Sequence, residues 1–204
     1  HVLMLSFTRK SALELRMRIG NRSNVQVSTF HSLAFQILHC NGFADFRIDL
    51  NAGSQQAIIQ RCIEQQDTTP DEVIQSLRSP KTASKATMAV QKTYLQYLFQ
   101  HKILTFDTMQ VFAHHLLSTN TNILHRWQHF YNFILVDEYQ DVDVLQAEFL
   151  EMLSQKTQNL CVVGDSRQSI YSFRGALPEA MKKFHSDAVY DLTVNYRCNP
   201  AILG

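Results

Sequence analysis

No charge of one sign dominates this sequence. Its 19 Lys and Arg stand against 18 Asp and Glu, so no overall basic excess advertises a polyanionic partner, and any nucleic-acid contact must be local. Cysteine is scarce and scattered. Cys40, Cys62, Cys161 and Cys198 form no CxxC pair, which leaves a zinc ribbon or dithiol redox motif without support and fits a reduced, intracellular setting. No apolar run approaches the roughly 20 residues that span a bilayer, and the opening HVLMLSF carries neither a basic stretch nor a small-residue cleavage site. The expected location is cytoplasmic, with no membrane partner. Internal repeats and low-complexity tracts are absent as well. His1 enters an apolar stretch directly, without an initiator Met, and so the chain reads as a fragment.

What is present is enough apolar material, 45% of 204 residues, to bury a core. Val2 to Phe7 reads as a strand. From Thr8 the spacing of Ala12, Leu13, Leu15, Met17 and Ile19 turns helical and closes at Gly20 and Asn21. Val25 to Ser28 is β-prone, and Thr29 can cap a helix from Phe30 to His39 that carries Phe30, Leu33, Ala34, Ile37 and Leu38 on one side and ends at Asn41-Gly42. From Phe43 to Thr105 the character changes to Gln, Thr, Ser and Lys. Amphipathic stretches around Ala57 to Gln66, Asp71 to Arg78 and Ala89 to His101 predict a helical insertion without buried strands. Its middle, Asp67 to Ala86, holds Thr68-Thr69-Pro70 and Ser79-Pro80-Lys81 and is the expected mobile region.

Helices are predicted near Phe106 to Leu117 and Asn122 to Tyr131. Beyond them, Phe133 to Val136 and Leu160 to Val163 are apolar runs of the kind buried on both faces of a parallel sheet. A helix bearing Val144, Leu145, Phe149, Leu150 and Leu153 lies between them. Ligands of open α/β sheets bind beyond the carboxyl ends of the strands, and chemistry-bearing residues stand at both of these ends.

The first is Ile134-Leu135-Val136-Asp137-Glu138-Tyr139-Gln140-Asp141. An apolar strand running into two adjacent carboxylates sets charge at a strand tip, where one carboxylate can hold hydrated Mg²⁺ and its neighbour can orient or deprotonate a water. Acids in the first turn of the following helix would look the same, and this segment alone leaves both readings open. The second is Val162-Val163-Gly164-Asp165-Ser166-Arg167-Gln168-Ser169-Ile170-Tyr171-Ser172-Phe173-Arg174-Gly175-Ala176. Gln168 suits sensing a phosphate or positioning water, and Tyr171 and Phe173 suit stacking on bases, although aromatics also commonly cover a sheet edge.

Together these segments resemble motifs II and III of UvrD/Rep-type superfamily 1 DNA helicases. Leu5-Ser6-Phe7-Thr8-Arg9-Lys10-Ser11-Ala12 is similar to motif Ia and Ser28-Thr29-Phe30-His31-Ser32-Leu33 to motif Ib. Leu104-Thr105-Phe106-Asp107 is similar to the segment before motif II, and Asn195-Tyr196-Arg197-Cys198 to motif IV. Six such matches in order cover nearly the whole chain apart from the insertion.

The resemblance implies an α/β, RecA-like parallel sheet flanked by helices (the P-loop NTPase fold) with an inserted helical subdomain. Residues 1–42 and 106–190 would form the first motor domain, 43–105 the insertion and 191–204 the start of a second motor domain. It implies ATP and Mg²⁺ as cofactors, and single-stranded DNA and single/double-strand junctions as partners, in a nucleoid-associated protein. Asp137 would coordinate Mg²⁺, Glu138 would polarise the attacking water and Gln168 would contact the γ-phosphate. Tyr196 would stack near the adenine, and Arg197 would act on the γ-phosphate. Thr8, Phe30, His31, Tyr171 and Phe173 would line the single-strand path, and Arg174 would couple that path to the nucleotide.

The family's glycine-rich phosphate loop has no counterpart, since no GxxxxGK[ST] occurs in these residues. This chain alone is therefore expected to be inactive, while its parent hydrolyses ATP and unwinds DNA. Two rivals stand beside this reading. One is a non-catalytic single-strand-binding fragment or degenerate copy. The other is a nuclease using Asp137, Glu138 and Asp141 as metal ligands, a scheme that gives Gln168, Tyr196 and Arg197 no place. His114-His115 and the pair His125 and His129 suggest zinc only weakly, lacking an HExxH glutamate. Arg16, Arg18 and Arg22 read as a solvated helix face.

Overall fold

The computed structural model describes residues 1–79, 83–168, 184, 186–194, 196 and 199. From the amino terminus, β1 (Val2–Ser6) leads through α1 (Arg9–Ile19) to β2 (Val25–Thr29) and α2 (Phe30–His39). A second stretch holds β3 (Arg47–Asp49), α3 (Ala52–Ile63), α4 (Pro70–Arg78), α5 (Lys85–Gln100) and β4 (Ile103–Thr105). The chain returns through α6 (Phe106–Thr119) and α7 (Thr121–Phe130) to β5 (Phe133–Val136). A short 3-10 turn at Tyr139–Asp141 then precedes α8 (Val144–Ser154), β6 (Leu160–Val162) and a second 3-10 turn at Ser166–Gln168.

The principal sheet is parallel throughout, in the order β2-β1-β5-β6. Leu5 of β1 stands opposite Ser28 on one side and Val136 on the other, and Leu3 and Leu5 are wholly buried. The chain leaves β1 for β2 on one side and later returns to β5 on the other. The strand order therefore reverses between β1 and β5, and the crevice at their carboxyl ends is a topological switch point, where open α/β sheets take their ligands. The expected α/β class holds.

Local chemistry explains the helices. Thr8, Thr29 and Thr105 each cap the helix that follows, accepting from the backbone N–H of Ser11, Ser32 and Thr108 respectively. Gly20, at φ +72°, closes α1 in a conformation that glycine adopts without a Cβ penalty. On α2 the 3.6-residue spacing buries Phe30, Leu33, Ala34, Ile37 and Leu38, each contributing roughly 1–3 kcal/mol by removal from water. The core continues from there into Phe112, Leu117, Tyr131, Ile134, Phe149 and Leu153.

Three expectations need correction. The stretch from residue 43 to 105 does contain a buried strand. β4 pairs in parallel with β3 across the whole helical insertion, with Ile103 and Leu104 buried, and a three-residue strand is too short to show periodicity. The expected mobile region begins with an ordered helix. Thr69 caps α4 in a capping box with Glu72, Pro70 occupies the first turn, and Val73 and Leu77 are buried, so the Thr-Thr-Pro read as a loop is a start signal; residues 80–82 lie outside the described set. Finally, β5 and β6 are not buried on both faces. Phe133, at the start of β5, is 52% exposed, and in β6, an edge strand of the described sheet, Cys161 is exposed, as is Val163 just beyond it at 42%. Among the described residues no helix is long and apolar enough to cross a membrane.

Candidate functional site

The Asp137 N–H donates to the Leu5 carbonyl at 2.9 Å, continuing the ladder past the end of β5 and fixing Asp137 beside the carboxyl end of β1. Glu138 follows at φ 55°, ψ 44°, a left-handed conformation that costs a non-glycine residue on the order of 1 kcal/mol. Helix α8 is capped by neither of these acids. Its N-cap is Asp143, which accepts from Gln146 N–H at 2.8 Å while the Gln146 side chain accepts from Asp143 N–H. Asp137 and Glu138 are thus left at the sheet tip with no part in capping that helix.

The acid tip is tied to the end of β6. Tyr139 N–H donates to the Val163 carbonyl at 3.0 Å. Gln140 Nε2 donates to Glu138 Oε2 at 2.7 Å, and Gln140 Oε1 accepts from Asp165 N–H at 3.0 Å. Asp165 in turn accepts from Gln168 Nε2 at 3.1 Å. Hydrogen bonds from Arg167 N–H, the Gln168 amide and the Arg167 guanidinium hold the Asp165 carboxyl below the usual carboxylate range. One line of hydrogen bonds therefore joins Glu138, Gln140, Asp165 and Gln168, the last of them exposed.

Two buried polar atoms at this edge, Ser6 Oγ and Asp141 Oδ1, have no hydrogen-bond partner among the described residues. Burial, and secondarily the charge of Glu138, pushes the Asp141 carboxyl up. Among the described residues no three His, Cys, Asp or Glu converge to hold a metal. The donor set instead suits a hard cation held by a single carboxylate and completed by a ligand's phosphates.

The residues expected along a nucleic-acid path divide. Thr8 is exposed and spends its hydroxyl on Ser11. Phe30, expected along the single-strand path, is 3% exposed and belongs to the core. His31 stacks on Phe106 with ring centroids 3.6 Å apart, and Phe106 is 43% exposed. Burial lowers the His31 pKa to about 4, with Asp107 opposing the shift, so the ring is neutral at pH 7 and accepts from Gln110 Nε2 at 2.9 Å. Gln110 Oε1 accepts from Gln146 Nε2 at 3.2 Å, which carries the polar chain to the Asp143 cap. Burial raises the Asp143 pKa to about 6 against its backbone hydrogen bonds.

Tyr196 is 93% exposed, and no described contact joins it to the acid tip. Tyr171, Phe173, Arg174 and Arg197 lie outside the described residues. Arg16 donates to the Val27 carbonyl from Nε at 3.0 Å, Arg18 pairs with Glu14, and His114 sits 3.2 Å from Glu148.

Sequence reasoning passed over Gln140, Gly164 and Gln110, and gave Asp107 no role. Asp107 receives Arg78 and, at 3.2 Å, Gln55, knotting α3 and α4 to the start of α6. The first two stood inside quoted motifs, but only the pairing of β5 with β6 reveals what they touch.

A parallel sheet flanked by helices, with its strand order reversing between β1 and β5, is an α/β architecture of the RecA-like kind. The UvrD/REP helicase N-terminal domain profile matches residues 1–71 and 48–189. The chain is 28% identical over 241 residues to a "Probable DNA helicase II homolog" of Mycoplasma capricolum subsp. capricolum, covering 99% of this chain and 33% of that protein. It is 28% identical to "ATP-dependent DNA helicase Rep" of Buchnera aphidicola subsp. Acyrthosiphon pisum (100% and 37%), and 31% identical to "ATP-dependent DNA helicase PcrA" of Leuconostoc citreum (99% and 32%). The chain belongs to the UvrD/REP helicase N-terminal domain family. It spans about a third of the length of these relatives.

Proposed function

We propose that this chain is part of the motor of an ATP-dependent DNA helicase that couples ATP hydrolysis to movement along single-stranded DNA and to separation of duplex at single/double-strand junctions. The observation that carries the reading is the Asp137–Glu138 pair at the sheet's switch point, freed from helix capping by Asp143 and joined by hydrogen bonds to Gln168. Residues 1–42 and 106–190 are assigned to the motor, 43–105 to an insertion and 191–204 to the start of a second motor domain.

In this scheme Asp137 holds Mg²⁺, which when bound neutralises charge on the phosphates of ATP. Glu138 accepts hydrogen bonds from, and orients, the water that attacks the γ-phosphate. Gln168, on the exposed turn beyond β6, contacts that phosphate. Tyr196 and Arg197 are assigned to the adenine and the γ-phosphate. Thr8 and His31, with Tyr171, Phe173 and Arg174, are assigned to the DNA path, His31 as a neutral ring backed by Phe106. A net basic excess of the whole chain is unnecessary for such a path, because the positive charge that tracks a strand's backbone can be confined to the groove.

The test is single-strand-stimulated ATP hydrolysis by the 204-residue chain and by a version extended at its amino end, each with and without Glu138→Gln. Hydrolysis by the extended protein that Glu138→Gln abolishes, with none by the chain alone, supports the motor. An extended protein that binds single-stranded DNA but never hydrolyses ATP replaces the motor with a binding module.

A further inference from the structure

We propose that Gln140 is a positioning residue that clamps the Glu138 carboxylate, and that the clamp can form only because residue 164 is glycine. This inference rests on the role given to Glu138 above and names the group that sets its geometry.

The Gln140 side chain is 2% exposed, and both ends of its carboxamide are engaged. Nε2 donates to Glu138 Oε2 at 2.7 Å, and Oε1 accepts from Asp165 N–H at 3.0 Å. A backbone N–H can only donate and an ionised carboxylate can only accept, so one orientation of the amide satisfies both partners. Asn is a methylene too short to keep both ends, and Glu lacks the donor and sets a second acid against Glu138.

The clamped residue is itself in a left-handed backbone conformation, a state that persists where its surroundings over-determine it. Gly164 sits directly against the clamp. A Cβ at that position would lie 2.3 Å from Gln140 Oε1, 3.1 Å from Tyr139 N and 3.2 Å from Gln140 N. Even the smallest side chain there displaces the amide from Asp165 and loosens its hold on Glu138. Because Asp165 also receives Gln168, the clamp ties the water-orienting acid to the turn assigned to the γ-phosphate.

The experiment is steady-state, single-strand-stimulated ATP hydrolysis by the full-length protein. Gln140→Ala, and Gln140→Met as a variant of similar length that retains packing, are expected to lower kcat by roughly 10- to 100-fold, the scale of a small misplacement of a catalytic group. KM for ATP should stay within about twofold, since the amide orients the base rather than binding the nucleotide. Gln140→Glu should be no better than Gln140→Met. Gly164→Ala should lower kcat similarly, and Gln140→Ala with Gly164→Ala should be no worse than the more damaging single change, because both remove the same contact.

Turnover by Gln140→Met within twofold of wild type, a KM rise at unchanged kcat, or losses that multiply in the double variant each overturn the clamp. Glu138→Gln separates the two levels. If it abolishes turnover while Gln140→Met stays within twofold of wild type, only the clamp falls. If Glu138→Gln itself turns over normally, the role of Glu138 falls and the clamp falls with it.

Discussion

At the carboxyl edge of the sheet, polar groups are tied to one another. Glu138, Gln140, Asp165 and Gln168 share one line of hydrogen bonds, a non-glycine residue is held left-handed, and two buried oxygens have no partner among the described residues. In the helical stretch around α3, α4 and α5 the same kinds of residue do a different job. Asn51, Thr69 and Ser84 cap helices, Asp107 fastens three helices together, and the space between is filled by Ile59, Val73, Val90, Tyr94 and Leu98. One region gathers acids and unpartnered oxygens at a strand tip, while the other uses most of its polar groups in caps and ion pairs, with the buried Tyr94 hydroxyl the exception. Unsatisfied capacity beside the switch point is what a ligand can use.

That contrast can be broken by substitution. Glu138→Gln should give the largest effect of all, lowering ATP turnover of the full-length protein by on the order of 10²–10⁴-fold with little change in its urea midpoint. Leu104→Ala should do the reverse, destabilising by about 2–5 kcal/mol in a urea titration, since Leu104 is wholly buried in β4. An equal loss of turnover and stability in both variants would erase the distinction between the regions.

The polar chain between His31 and Asp143 sharpens it further through pH. The His31 pKa is lowered to about 4, so its contribution to stability is present above about 6.5 and is lost as pH falls toward 4. The Asp143 pKa is raised to about 6, so its contribution is present below about 4 and is lost as pH rises through 6. The two slopes oppose one another. Asp143→Asn, which keeps a capping side chain, should gain up to about 2–3 kcal/mol over wild type between pH 4 and 7, measured as unfolding free energy against pH. His31→Gln should gain over wild type in the opposite direction, as pH falls from 6.5 to 4. Parallel curves for all three proteins would show that neither group is shifted.

Asp107→Ala should cost about 1–2 kcal/mol, reduced from the value for a fully buried pair because Arg78 is partly exposed. Smallest of all, Arg18→Ala should change stability by at most about 0.5 kcal/mol, because its pair with Glu14 is exposed on both sides. Thermal unfolding of both variants checks the ranking.

Much of this was legible in order. The α2 helix can be read from Phe30 to His39 because its apolar spacing is strict, and the acid tip because an apolar run stops at two carboxylates. What escaped has physical causes. β3 and β4 are three residues each, too short for a period to appear, and are paired across a whole set of helices. Thr68-Thr69-Pro70 carries turn residues that equally begin a helix, and Glu72 three places on decides the matter. Phe30 and His31 are adjacent, yet one faces the core and the other a half-buried aromatic stack, a distinction set by α6 rather than by α2. Gln140 and Gly164 acquire meaning only when β5 and β6 lie side by side.

The strand-to-helix junctions have a mechanical corollary. Thr29 is both the last residue of β2 and the cap of α2, and Thr105 is both the last residue of β4 and the cap of α6. No linker residue intervenes at either joint, so neither has slack. A tug on the tip of β2 reaches α2, and with it the His31 ring, as rigid-body displacement rather than being absorbed in a loop.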